Sequence, residues 1–156
     1  MKSKNNPPAQ KTGFSLVVSR VINAPCELVF RAWTDPEHMG QWFSPDGVGC
    51  RSFTGEVKVG GAYRLHMVSK VGNHIAIGKY KEILLNKRLQ FTWERMAEGV
   101  PLTLVTVDFE DLGKTTRLTL THEGFPARED SDDHNEGWTS LLEKFGRLME
   151  QGKIKS

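Results

Sequence analysis

The chain has 156 residues, 38% hydrophobic and 26% charged, with a net charge of +2 and two cysteines. That length and mix fit one globular domain able to bury a core without disulfides or metals. The near-balance of interleaved acids and bases leaves no electrostatic footprint for nucleic acid.

No apolar run reaches membrane-spanning length, and the N-terminus lacks a signal-peptide apolar core. Cys26 and Cys50 match no metal or redox spacing, so free thiols in a reducing cytoplasm are expected. Residues 1–13 are polar with a Pro-Pro pair and predict a disordered tail, leaving residues 14–156 as a single domain.

Phe14 to Asn23 predicts a strand, with Leu16, Val18, Arg20 and Ile22 alternating against Val17, Ser19 and Val21. Pro25 suits the first turn of a helix that runs to Thr34. Asp35-Pro36 interrupts it, because the residue before proline disfavours helical geometry. Asp35 then caps a second short helix to about Phe43, carrying Met39, Trp42 and Phe43.

Strands follow: Val48 to Val59, irregular near Gly55; a turn at Gly60-Gly61; then Tyr63, Leu65 and Met67 alternating with Arg64, His66 and Val68. Gly72-Asn73 reads as a hairpin tip, and Ile75 to Ile83 as a strand whose alternation is untidy around Gly78. After a turn at Asn86-Lys87 come Leu89, Phe91 and Trp93 in phase. A loop from Glu98 to Pro101 leads to a strand from Leu102 to Glu110, with Val105, Val107 and Phe109 on one face. A hairpin at Asp111 to Lys114 leads to the last strand, Thr116 to Glu123, which aligns Leu118, Leu120 and His122.

From Asp133 to Gln151 the period changes to that of a helix. Trp138, Leu141, Leu142, Phe145, Leu148 and Met149 share one stripe, with Glu143, Lys144, Arg147 and Glu150 opposite. Asp133 and Glu136 suggest a capping box, Glu129, Asp130 and Asp132 before the start and Lys153 and Lys155 after the end complement the dipole, and Gly152 suits a left-handed close. The order is strand, two short helices, six strands, long helix. Short turns imply an antiparallel meander with one solvated face, curved around the helix.

Arg20-Val21-Ile22-Asn23-Ala24-Pro25, followed by Glu27, Val29-Phe30, Ala32-Trp33-Thr34-Asp35-Pro36-Glu37 and Trp42, resembles the opening of the START-like group related to the activator of the heat-shock protein 90 ATPase. The resemblance continues at Gly60-Gly61, Leu89 to Trp93, Thr119 to His122 and Gly137-Trp138. It implies the helix-grip α+β fold shared with birch pollen allergen-like proteins: about seven strands around a long C-terminal helix, with two short helices after the first strand. Many members carry a tryptophan pair where this chain has Trp42-Phe43, and the phenylalanine keeps the bulk but loses the indole donor. The resemblance also implies a protein-interaction role. A full co-chaperone role is not expected, since the activator carries further segments that this chain lacks.

No nucleophile elbow, phosphate loop or dinucleotide fingerprint is present, and no histidine stands at metal-ligand spacing, so no catalytic residue, metal or cofactor is expected. His122, on the apolar face, is either a hydrogen-bonded core histidine or a polar anchor for a ligand. Trp33, Trp42, Trp93, Trp138, Tyr63, Tyr80, Phe91 and Phe145 are either ordinary core or a cavity wall. Glu82 could serve as an acid or base if buried.

The leading expectation is a binding module for a small apolar or aromatic ligand between sheet and long helix. By phase the lining is Tyr63, Leu65, Phe91, Trp93, Val107, Leu120 and His122 from the strands, Trp138, Phe145 and Met149 from the helix, and Met39, Trp42 and Phe43 at a rim near Gly47 and Gly49. A co-chaperone-like interaction module and a cavity enzyme, a cyclase or hydrolase, are the alternatives.

Overall fold

A computed structural model describes residues 13–44, 49–95 and 100–154. The expectations placed on residues 1–12, on Gly47, on the loop up to residue 99 and on Lys155 lie outside these residues.

The element order is β1 (Phe14–Ile22), α1 (Cys26–Thr34), α2 (Pro36–Trp42), β2 (Gly49–Gly55), β3 (Ala62–Ser69), β4 (Gly72–Leu84), β5 (Arg88–Arg95), β6 (Val100–Asp111), β7 (Thr116–Phe125) and α3 (Arg128–Glu150). The seven strands form one antiparallel sheet in the order β1-β7-β6-β5-β4-β3-β2. Strands β2 to β7 pair in chain order as a meander, and β1 closes on β7. The sheet curls around α3, giving the helix-grip α+β fold.

The strand alternation explains the core. Tyr63, Leu65 and Met67 of β3, Leu89, Phe91 and Trp93 of β5, Val105, Val107 and Phe109 of β6, and Leu118 and Leu120 of β7 are all buried, on the face that meets the helices. Trp138, Leu141, Leu142 and Phe145 of α3 are buried against it, with Leu148 and Met149 partly so. Asp35 caps α2 by accepting the Glu37 N–H at 2.9 Å.

Several boundaries differ from the sequence reading. Helix α3 begins at Arg128, five residues before Asp133, so Asp133 and Glu136 lie inside it and form no capping box. Glu129 and Asp130 occupy the first turn, where acids favour the helix, and no glycine or proline interrupts residues 128–133. The β3–β4 hairpin turns at Lys70-Val71 rather than Gly72-Asn73, since Ser69 pairs with Gly72 and Val68 with Asn73. β2 stops at Gly55, β4 starts at Gly72, β6 starts at Val100 and β7 runs to Phe125.

The end of α3 follows the expectation. Gly152 has φ +67°, Gly152 N–H bonds to the Met149 carbonyl at 3.1 Å, and Lys153 N–H bonds to that of Leu148 at 2.9 Å. This crossed pair of bonds reverses the chain and packs Ile154 back onto the core.

Candidate functional site

Between β3, β5 and the N-terminal half of α3 lies an open cleft of about 100 Å³. Leu65 and Met67 line it from β3, Trp93 and Arg95 from β5, Asp133, His134, Gly137, Trp138 and Leu141 from α3, and Phe43 from the end of α2. Each strand contributes residues two apart, and the helix contributes steps of three and four, so each wall is one face of one element.

Its apolar wall is aromatic. Ring centroids of Trp93 and Trp138 are 5.2 Å apart, and Phe43 lies 6.0 Å from Trp138 and 6.5 Å from Trp93. Lys144 of α3, read from sequence as solvent-facing, is half-buried and donates from Nζ to the Ser44 carbonyl and hydroxyl, each at 3.2 Å. That bond ties the residue after Phe43 to α3.

A chain of hydrogen bonds runs behind the wall. The Trp138 indole N–H donates to His122 Nδ1 at 2.9 Å, and His122 Nε2 meets Thr103 Oγ1 at 2.7 Å. An imidazole nitrogen that accepts carries no proton, so His122 is neutral with its proton on Nε2. Its Nε2–H therefore donates to Thr103 Oγ1, whose own proton goes to the Trp93 carbonyl at 2.8 Å.

The same logic applies to His134. Its Nε2 accepts the Trp93 indole N–H at 3.2 Å, so its proton is on Nδ1, directed to the Asp130 carbonyl at 2.8 Å. The imidazoles lie 5.2 Å apart, and Phe125 packs against both at 4.3 and 4.8 Å. Burial, then the neighbouring His134, pushes the His122 pKa well below 6.5. Burial is also the first cause lowering that of His134, with Arg95 adding to it.

His122 is thus a satisfied core histidine. Being the donor toward Thr103, it cannot act as a base on that hydroxyl. Glu82 is partly exposed and faces Arg88 Nη1 at 3.7 Å. Burial raises the Tyr63 and Tyr80 phenols well above their ordinary value of 10, keeping both neutral. Among the described residues no three His, Cys, Asp or Glu side chains converge as metal ligands.

Of the thirteen residues expected to line a cavity, Phe43, Leu65, Trp93 and Trp138 line the cleft. His122 stands directly behind it. Met39 and Trp42 are buried rather than at a rim, with the Trp42 and Phe145 rings tilted against each other at 4.4 Å and the Trp42 indole donating to the Ala32 carbonyl at 3.0 Å. Tyr63 and Phe91 pack edge to face at 5.7 Å. Val107 and Leu120 are paired across β6 and β7 with no exposure, and Met149 lies at the far end of α3.

Met67, Arg95, Asp133, His134, Gly137 and Leu141 also line the cleft and were not among those thirteen. Met67 and Arg95 are the next residues in the phases of Leu65 and Trp93, and His134 is one turn before Trp138. Carrying each period one step further finds Met67, Arg95 and His134; Leu141 already lies on the helix stripe, and no periodicity marks Asp133 or Gly137.

Residues 23–150 match the profile of the Activator of Hsp90 ATPase homolog 1-like protein family. No curated protein sequence matches the chain. A crystal structure of a protein from Chromobacterium violaceum is 26% identical with a TM-score of 0.76, over 86% of this chain and 95% of that one. The AHSA1 protein from Silicibacter pomeroyi is 23% identical with a TM-score of 0.78, over 89% of this chain and 99% of that one. CalU16 from Micromonospora echinospora is 23% identical with a TM-score of 0.69, over 90% of this chain and 80% of that one.

Proposed function

The chain belongs to the family of Activator of Hsp90 ATPase homolog 1-like proteins, and from that premise we propose that it is a binding module for a small, mostly apolar or aromatic ligand. Domains of this fold commonly hold ligands. The observation that carries the reading is the aromatic cleft whose two indole N–H groups are already bonded to His122 and His134. Its walls therefore offer ring faces with no unsatisfied indole donor, and affinity comes from apolar burial. Arg95 and Asp133 at the cleft edge supply the polar contacts that orient the ligand. At about 100 Å³ the open cleft is smaller than the roughly 150 Å³ that encloses benzene, so it takes one edge of a ring system and leaves the rest at its mouth. The free thiols Cys26 and Cys50 support a cytoplasmic location.

Indole, with methyl resonances of Leu65, Met67 and Leu141 as reporters, tests this. Saturable shifts at those methyls are expected, and Gly137→Leu, which places a side chain in the cleft, should abolish them while the protein stays folded. No saturable shift at these methyls in the wild-type protein would overturn the reading.

The co-chaperone-like alternative has its own support at the opposite end of the sheet. There Leu84, Leu85 and Leu112, beside two strand turns, are 44%, 76% and 41% exposed. Loss of partner capture on Leu85→Lys, with indole binding intact, would favour that reading.

A further inference from the structure

The aromatic cleft is polarised along its length. Phe43 and Leu141 line one end, and the bond from Lys144 to Ser44 ties α2 to α3 just beyond them. Asp133 lines the other end with Arg95, about 12 Å from Leu141 along the helix axis. The sequence places both charges there. Arg95 follows Trp93 by two residues on β5 and pairs with the buried Ala76 of β4, so it leaves the core face of the sheet. Asp133 directly precedes His134 on α3. The indole bond from Trp93 to His134, at 3.2 Å, joins the two elements at this level.

Both charges act on the same imidazole. After burial and the bond to the Asp130 carbonyl, His134 feels the Arg95 charge, which lowers its pKa, and those of Asp130 and Asp133, which raise it. Arg95 is half-buried and Asp133 is exposed, so the pair stands where the cleft opens to solvent. The Arg95 guanidinium is steadied from β4. Its Nη2 lies 3.4 Å from His74 Nδ1. A guanidinium only donates, so Nδ1 accepts, and the His74 Nε2–H goes to Ser69 Oγ at 2.7 Å. A neutral imidazole orients the side chain and does not cancel its charge.

Resting on the binding-module reading, we propose that the ligand is a zwitterion of the aromatic amino-acid class. The edge of its ring enters beside Trp138 and Leu141, its carboxylate meets Arg95, and its ammonium meets Asp133. The cleft holds only one edge of a ring, which leaves the head group at the mouth, where the two charges stand. A cation and an anion on facing walls favour a head group that carries both signs. An anionic ligand gains Arg95 but is repelled by Asp133, a cationic one gains Asp133 but is repelled by Arg95, and a neutral ring gains neither.

Tryptophan, tryptamine, indole-3-propionate and indole share one ring system and differ in the head group. Each is titrated into the wild-type protein, with the methyl groups of Leu65, Met67 and Leu141 as reporters. Tryptophan should bind roughly three- to tenfold more tightly than each of the other three, as expected for two partly exposed ion pairs. Arg95→Gln should remove its advantage over tryptamine and keep that over indole-3-propionate. Asp133→Asn should do the reverse. A merely structural role for either residue would weaken all four compounds together and would not cross the two ratios. Saturable indole binding with no preference for tryptophan would overturn the proposal and leave the binding module standing, as would tighter binding of tryptamine or indole-3-propionate than of tryptophan. No saturable shift with any of the four would overturn both.

Discussion

Trp138 joins packing to polarity in one side chain. Its ring is 4% exposed and forms the cleft wall, and its N–H is the only proton donated to His122 Nδ1 among the described residues. Trp138→Ala should lose roughly 3–5 kcal/mol, as for other large-to-small core changes. Trp138→Phe keeps most of the ring but leaves a buried acceptor bare, so a loss of about 1–3 kcal/mol is expected. Chemical denaturation measures both. A Phe variant as stable as the wild-type protein would mean that the indole bond contributes little. Sequence phase placed Trp138 and His122 on facing apolar surfaces. That one donates to the other depended on how far α3 slides along β7, which no local pattern encodes.

Among the elements, β4 departs from strict alternation for a packing reason. Ile77 pairs with Glu94 and Tyr80 with Phe91, but Gly78 and Lys79 have no partners in the ladder between them. Tyr63 crosses this gap from β3 and donates its hydroxyl to the Thr92 carbonyl. Gly78 makes room. A Cβ there would meet the Thr92 carbonyl oxygen and lie 2.7 Å from the Tyr63 ring. Gly78→Ala should therefore cost about 2 kcal/mol or more, as overpacking against backbone does. Thermal denaturation with a melting point within about 2 °C of the wild-type protein would show that the sheet gives way there. Helix α3 illustrates the opposite case. Its apolar stripe was plain from Trp138 onward, but its first turns carry Glu129, Asp130 and Asp132, which read as easily as a linker. Contact with the sheet made them helix: Ser131 Oγ donates to the Ser15 carbonyl of β1 at 3.2 Å.

For the molecule as a whole, two buried neutral histidines make stability depend on pH. Both have folded-state pKa values below the ordinary 6.5. The unfolded chain therefore takes up protons near pH 6.5 that the folded chain refuses. Stability from this source is fully present above about pH 6.5 and falls as pH drops below it, until the folded imidazoles also protonate. The groups facing them are Thr103, Trp138, Trp93, Asp130 and Arg95, and protonation of either ring breaks its indole bond. Denaturant midpoints at pH 7.5 and 5.0 check this. A clear drop at pH 5.0 is expected, smaller in His122→Gln, and an equal drop in both proteins would assign the effect elsewhere.

The residue order by itself determined the succession of elements, the antiparallel meander and the buried face of each strand. Those rest on periods of 2 and 3.6 residues and on turn chemistry, all local properties of the chain. Only the tertiary structure decided which apolar residues border open space. Phe145, Leu120 and Val107 have the same pattern as Trp93 and Leu65, but the first three are packed solid and the other two line a cleft. A void is the difference between the volume enclosed by the curled sheet and the side chains that enter it from three helices. That difference depends on distances between elements far apart in sequence, which periodicity does not carry.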